Sequence, residues 1–392
     1  MKVVLISSSY HPYYRGGGEY SVKNLAEKLV NQGHTVSVIT AFHHDQQEKI
    51  EGVYVYRIKH PNLYWSYTSD NQPAYRRLIW HIVEGYNIRV ERPLRRLLSD
   101  LKPDVMHIRN IEDFSPYACK VAQNMGIPVV VTLNSYTWLC PRATMFRNGQ
   151  NCRKQCSDCK LVTYPKKLAS RYVTAVVGVS RFMIARHVGN GYFSQAKQQV
   201  IYTSTKPHFN SLAFSKNGYK TFGYIGRIHP SKGVAEIIQA FKQANSTQNH
   251  RLVIAGTGPS SYFNYCQSQA QEVSNISFLG KVDVQHFYPT VDVIIINSLW
   301  HEPFPRVLIE SYAYGRPVIA TDTGGILEMV SEKTGYIVDH NQPEQLKRAL
   351  LHFMYMSSEK LHQMQKNIEE FFSRNISDES SEYSKLYQSL IQ

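Results

Sequence analysis

The segment "HEPFPRVLIES", residues 301–311, carries two carboxylates, Glu302 and Glu310, eight positions apart. A pair of carboxylates can act as acid and base in glycoside hydrolysis when the groups lie roughly 5 to 9.5 Å apart. Along a continuous helix these two would be separated by about 12 Å, at 1.5 Å per residue, which argues against that pairing. Pro305 suits a first helical turn. The spacing therefore predicts a helix that begins there, with Glu302 in the preceding loop and the N–H groups of Arg306 and Val307 presented to an anion such as phosphate. Taken singly, Glu302 is an exposed loop acid and Glu310 an ordinary helix residue.

Two further stretches have anion chemistry. In "GYIGRIHPSKGV", Arg227 follows a strand and Lys232 comes five residues later, ahead of a helix. A forked donor and a point charge at a strand's carboxyl end suit a diphosphate, although two surface cations would look the same. In "YHPYYRGGGEYSVKNLAEKL", Gly16, Gly17 and Gly18 separate a strand from its helix. Glycines there let backbone approach an anion and leave helix N–H groups open to it, and they also make ordinary turns. Neither the G-x-G-x-x-G pattern nor a P-loop lysine is present.

These residues need a scaffold. With 392 residues, 43% apolar and 19% charged, the chain describes a globular protein of more than one domain. No apolar run approaches the roughly 20 residues of a membrane span, and the N-terminus is too short in apolar residues for a signal peptide, so a cytoplasmic location is expected. The net charge of +14 implies anionic partners. No nucleic-acid signature accompanies it, and no nucleic-acid partner is expected.

Apolar runs at residues 2–7, 34–40, 53–58, 104–108, 128–133 and 173–180 suit strands buried on both faces. Amphipathic stretches alternate with them, such as Glu19 to Gln32 with Val22, Leu25, Ala26 and Leu29 on one face. The pattern is α/β with a parallel sheet. It pauses in the polar stretch 203–220 and restarts with "TFGYIGRI", followed by "RLVIAG", "ISFLG", "VDVIIIN", "RPVIATD" and "GYIVD". Two doubly wound domains are expected, 1–205 and 206–374, with ligands at the carboxyl ends of their strands.

Taken together, "GGGE", "HPSKG", "VIAGTGP", "ISFLGKV", "EPFPRVLIES" and "TDTGG", in this order, resemble the GT4 family of retaining glycosyltransferases over nearly the whole chain. The resemblance implies the GT-B fold, two Rossmann-like domains facing across a cleft, with a terminal helix at about 375–392 crossing back to the first. It implies transfer of a hexose from a UDP-sugar, best taken as UDP-glucose, to a glycan or lipid-linked sugar without a catalytic metal. An exopolysaccharide or other envelope glycan is the suggested context, at the inner face of the plasma membrane.

Carried onto this chain, the resemblance assigns Glu302 to hydroxyls of the transferred sugar and Glu310 to the ribose. Arg227 and Lys232 would neutralise the diphosphate, with the amides of Arg306 and Val307 and the Gly16–Gly17 turn. The base would lie along main chain at Gly280 to Val282, with Gly256, Phe304 and Pro305 completing the donor site. Pro305 stands where relatives have glycine. Asn134, in "VTLNSY", stands where many have histidine, and an amide can orient a hydroxyl but not act as a base. His107 and Arg109, in "MHIRN", are expected on the acceptor side, His107 alternatively as a core residue. A sugar-nucleotide epimerase or phosphorylase, or a silent sugar-nucleotide-binding subunit, would share most of these features.

Two motifs stand apart. Cys140, Cys152, Cys156 and Cys159 could form a structural zinc cluster, a radical-SAM iron–sulfur site or unligated thiols. Residues 75–98 mix Arg76, Arg77, Arg89, Arg92, Arg95 and Arg96 with Leu78, Ile79, Trp80 and Ile82, which suits either an anionic membrane surface or a helix packed on its domain.

Overall fold

A computed structural model describes residues 1–13, 17–209, 214, 219–245, 250–271 and 273–391. The chain divides into two compact units. One comprises Met1–Met145, Cys152–Tyr202 and Asp378–Gln392, the other Phe146–Asn151 and Thr203–Ser377.

The first unit is built on eight strands. These are β1 (Lys2–Ser7), β2 (Thr35–Phe42), β3 (Gln46–Ile50), β4 (Val53–Lys59), β5 (Val105–Ile108), β6 (Val129–Leu133), β9 (Ala175–Gly178) and β10 (Lys197–Val200), with β7 (Phe146–Arg147) and β8 (Gln150–Asn151) forming a separate hairpin grouped with the second unit. The order is β10-β9-β6-β5-β1-β2-β4-β3, parallel except for β3 against β4. All six apolar runs become strands. The sequence reading missed β3, "QQEKI", and β10, "KQQV", which are the two edges of the sheet. An edge strand has little apolar surface to bury, so it lacks the pattern that reveals a central one. A two-residue turn at Glu51 (φ 47°) and Gly52 (φ 82°) joins β3 to β4, and positive φ at both positions is what a tight hairpin requires.

The second unit has six parallel strands, β11 (Thr221–Ile225), β12 (Arg251–Ala255), β13 (Ile276–Gly280), β14 (Val293–Ile296), β15 (Val318–Thr321) and β16 (Gly335–Val338), in the order β13-β12-β11-β14-β15-β16. In each sheet the first strand is central, and the chain builds outward to one side before returning to the other. The order thus reverses between β1 and β5, and again between β11 and β14. Such switch points leave a crevice at the carboxyl ends of the strands.

Alternate residues of the strands feed the cores. In the first unit Val3, Leu5, Val36, Val38, Val105 and Val130 meet Val22, Leu25, Ala26 and Leu29 of the helix Gly17–Asn31, the four positions that the helical spacing selected. The final helix, Glu379–Ile391, adds Tyr383, Leu386 and Tyr387 to this same core. In the second unit Phe222, Leu252, Ile254, Val293 and Ile295 pack with Ile237, Ile238 and Phe241 of the helix Val234–Ala244. Because Leu386 is 2% exposed, Leu386→Ala should cost about 3 kcal/mol in urea unfolding, and an unchanged midpoint would mean that the terminal helix is not part of the folded unit.

Candidate functional site

The second unit's switch point brings its chemistry together. After β11 the chain forms a short turn, Pro230–Lys232, in which the His229 ring accepts the Ser231 N–H at 3.2 Å. Burial, then the charges of Arg227 and Lys232, lowers the His229 pKa, so the ring stays neutral and able to accept. The loop after β14 runs alongside, with Leu299 N–H donating to Ser231 O at 2.9 Å and the Asn297 amide donating to Gly233 O at 3.0 Å. Gly233 has φ 61°, and a Cβ there would lie 2.3 Å from the Asn297 amide nitrogen, so glycine is required by both conformation and space.

This juxtaposition places Lys232 against Glu302. The Lys232 ammonium pairs with Glu302 Oε1, which also accepts from Ser298 Oγ at 2.6 Å and Trp300 Nε1 at 2.9 Å. The Lys232 nitrogen sits 5.5 Å from the centre of the Trp300 ring. Glu302 is 5% exposed, and its burial is offset by one cation and two neutral donors. All three act on one oxygen. Oε2 takes no hydrogen bond from any described residue and remains an acceptor for a ligand hydroxyl.

The loop after β15 backs Glu302 from behind. Gly325 N–H donates to Glu302 O at 2.8 Å, and Gly324, at φ 62°, would drive a Cβ to 2.0 Å from that oxygen. Gly324→Ala should therefore cost about 2 kcal/mol by unfolding, and a neutral result would contradict this packing.

Glu310 lies one turn into the helix Arg306–Ala313. Its Oε1 accepts from Arg306 at 2.9 Å and its Oε2 from Tyr288 OH at 3.0 Å. Burial, then Glu310 itself, raises the Tyr288 pKa well above its ordinary value, which keeps the phenol a donor. Pro305 is the residue before the helix rather than its first member, with ψ 123°, and its carbonyl accepts Leu308 N–H at 3.0 Å. Helical rise thus applies only from Arg306 onward, and the 12 Å separation expected of Glu302 and Glu310 from a continuous helix does not carry over. Arg306 and Val307 occupy the first turn, with Phe304 buried just ahead. Arg227 is exposed at the end of β11.

The neighbouring strand ends are nearly bare backbone. Gly256 N–H donates to Gly280 O at 2.7 Å, and a Cβ on Gly256 would lie 1.8 Å from Gly226 O. Gly280 (φ 67°) and half-buried Val282 continue this rim. Sequence reasoning missed Ser298, Trp300 and Tyr288. No spacing rule flags them, because their link to the carboxylates is made by the fold.

The first unit has its own polar cluster at the β1/β5 switch point. The Asn134 amide donates to Asn110 Oδ1 at 2.9 Å, and Gly18, near the start of its helix, lies beside both side chains. Gly17 opens that helix, whereas Gly16 lies outside the described residues. Arg109, Asn110, Glu112, Asn134, Ser135 and Thr137 line a small recess. Arg109 is 3% exposed and donates to Tyr383 OH at 3.0 Å. His107 does not reach the recess. It is fully buried, with its ring nitrogens 2.6 Å from Tyr387 OH and 2.7 Å from Thr132 Oγ1, which is the core alternative of its two expected roles. Burial, then Arg109, holds its pKa well below the ordinary value.

Asp113, buried at φ 69°, accepts from Ser66 N–H and Oγ, yet burial pushes its pKa up to about 8. Stability from the neutral carboxyl is complete below its unfolded value near 4 and is lost as pH rises toward 8. Asp113→Asn, which tolerates the left-handed backbone, should flatten that decline in urea midpoints between pH 5 and 8. An identical decline in the variant would rule out Asp113 as its source.

The spacing of the cysteines does not match the zinc alternative. All are free. Cys140 and Cys159 sulfurs are 3.9 Å apart, but no three of the four approach within 4.8 Å of one another. Four thiolates on zinc at about 2.3 Å would need mutual separations of about 3.8 Å. The segment is fixed instead by Gln155, whose amide donates to Leu139 O and Thr163 Oγ1, and by Lys166, which bonds Glu84 and Thr137 O. Among the described residues, the three potential ligands that do cluster are Asp322, Asp339 and His340, with the His340 ring 2.7 Å from Asp322.

Similarity to known proteins follows the two units. The profile "Glycosyltransferase Family 4" matches residues 15–207, and "Glycosyl transferases group 1" matches 209–371. A 42.6 kDa protein of the cps region in Klebsiella pneumoniae is 28% identical over 331 residues, 84% of this chain and 87% of that protein. Among solved structures, sucrose-phosphate synthase from Thermosynechococcus elongatus has a TM-score of 0.73 at 17% identity, covering 99% of this chain and 98% of that one. HepE from Anabaena, in complex with UDP and glucose, has a TM-score of 0.69 at 17% identity, covering 100% and 99%. At such identities the likeness is one of fold.

Proposed function

Because the chain belongs to the family 4, group 1 glycosyltransferases, retaining enzymes of the GT-B fold that use nucleotide sugars, we propose that its second unit binds a UDP-hexose through Glu302, Lys232 and Glu310. The observation that carries this reading is the Glu302 carboxylate, saturated on Oε1 and open on Oε2. An open, charged oxygen on a rigid support suits a sugar hydroxyl. Lys232, beside it, and Arg227, exposed at the next strand end, supply positive charge for a departing diphosphate, as does the first turn of the helix at Arg306 and Val307. Glu310, one turn further along, takes the ribose hydroxyls, and the backbone at Gly256 and Gly280 to Val282 lies along the base.

Departure of a nucleoside diphosphate requires countercharge rather than a strong acid. In this reading Arg227 and Lys232 provide it without a metal. The new bond forms on the face from which the diphosphate leaves, and the diphosphate takes the acceptor hydroxyl's proton. UDP-glucose is the preferred donor, a choice supported by the UDP and glucose held by HepE. The acceptor, a glycan or lipid-linked sugar, would be met by the first unit at Arg109 and Asn134. The cps-region relative supports an envelope polysaccharide as the product.

Incubation with UDP-glucose and candidate acceptors tests the reading. UDP release that requires acceptor supports transfer. Release without acceptor would indicate hydrolysis or epimerase-type chemistry, and binding without release a silent subunit. Glu302→Ala should lower transfer about 100-fold, equivalent to about 2.7 kcal/mol, with UDP affinity little changed. Undiminished transfer would remove Glu302 from the sugar site.

A further inference from the structure

The helices Ala74–Gly85 and Ser157–Ala169 lie side by side in the first unit. Between them the Lys166 ammonium bonds the Glu84 carboxylate at 2.9 Å, both side chains almost wholly buried, and Gly85 sits against Val162 and Pro165. Burial raises the Glu84 pKa, but the charge and hydrogen bond of Lys166, with His81, bring it below the ordinary value. The pair is internal, and it contributes no charge to the surface.

Outward, both helices expose apolar side chains at helical spacing. The first presents Leu78 (57% exposed) and Ile82 (60%), flanked by Tyr75 and Ile79. The second presents Leu161 (79%), Tyr164 (57%) and Leu168. Each stripe lies opposite the residues its helix buries, Trp80 and Glu84 on one and Thr163 and Lys166 on the other. Single exposed apolar residues are ordinary, but stripes on two adjoining helices mark a surface that meets something apolar.

Charge selects the occupant. The exposed charged residues of the two helices are Arg76, Arg77, Lys160 and Lys167, with Asp158 the one acid among the described residues. Beside the second helix a groove of about 720 Å³ is lined by Arg153, Lys154, Lys160, Lys167 and Arg186 and by no acid. Lys167 donates to Asn190 O at 2.9 Å, and Arg186 to Cys152 O. Carbonyls position these cations without neutralising them, and none of the five pairs with a carboxylate among the described residues. A nucleic acid would use the cations but not the stripes, and an apolar protein patch would not need the groove. An anionic bilayer uses both, because aliphatic and aromatic side chains enter the headgroup boundary while cations meet lipid phosphate.

We propose that the helices Ala74–Gly85 and Ser157–Ala169 form a docking face for an anionic lipid bilayer, with a lipid headgroup phosphate seated in the groove of Arg153, Lys154, Lys160, Lys167 and Arg186. The face is narrower than the basic stretch 75–98 and also extends beyond it. The chain breaks after Gly85, and in the next helix, Glu91–Leu101, Leu94 and Leu98 are buried while Arg95 pairs with Glu91. The second stripe comes from the cysteine-containing segment, and the groove lies between it and the helix Arg181–Val188, neither of which has a sequence link to residues 75–98.

Co-sedimentation of the full chain with vesicles of phosphatidylcholine and phosphatidylglycerol, against phosphatidylcholine alone, tests this. Binding should require the anionic lipid and weaken with added salt. The variant Leu78→Glu/Ile82→Glu/Leu161→Glu should lose about tenfold or more in partitioning at an unchanged melting temperature. Lys154→Ala/Lys160→Ala should lose about fivefold per cation, the equivalent of about 1 kcal/mol each. Equal binding to neutral vesicles, or undiminished binding by the triple variant, would overturn the proposal. So would a wild-type dimer that ignores vesicles and is dispersed by the triple variant, since the face would then join two copies of the chain.

Discussion

A carboxylate taken out of water must be paired, and the pairing of Glu302 organises the carboxyl edge of the second sheet. At 5% exposure, Glu302 is compensated by Lys232, Ser298 and Trp300, which converge on one of its oxygens. Lys232 comes from the turn after β11, Ser298 and Trp300 from the loop after β14, and the backing glycines Gly324 and Gly325 from the loop after β15. The strand order puts these three strands side by side. A different order would separate the cation from the acid by the width of intervening strands.

The glycines at this edge follow from the same constraint. Lys232 and Glu302 meet only if their loops pack backbone to backbone, which leaves no room for a Cβ at Gly233 or Gly324. The bond from Gly256 to Gly280, with Gly226 alongside, extends the bare edge across β11 to β13. Closely packed main chain is suited to ligands that carry their own charge and hydroxyls, as a nucleotide sugar does.

The first unit uses buried polarity differently. Glu84–Lys166, Gln155 with Leu139 and Thr163, and His107 with Tyr387 and Thr132 are satisfied internally. Removing one partner of a buried pair typically costs about 3 to 5 kcal/mol, whereas the intact pair adds little net stability. Such contacts fix which helix lies against which. In this unit they seat the helix Ser157–Ala169 beside Ala74–Gly85 and couple the final helix to β5.

Much of the architecture was legible in the sequence, because central parallel strands are buried on both faces and must be continuously apolar. Residues 2–7 or 128–133 can be read for that reason, and the edge strands Gln46–Ile50 and Lys197–Val200 cannot. The residue types at the site were legible too: Arg227, Lys232, Glu302 and Glu310 stand in motifs whose order identifies the family. Sequence could not show that three donors share one oxygen of Glu302, that Tyr288 holds Glu310, that His107 is enclosed, or that the Cys140 and Cys159 sulfurs come to 3.9 Å. Nor could it join Leu78 and Ile82 to Leu161 and Tyr164. Local periodicity records which face of an element avoids water. What that face meets depends on strand order and on contacts between residues distant in the chain, and those only the tertiary structure decides.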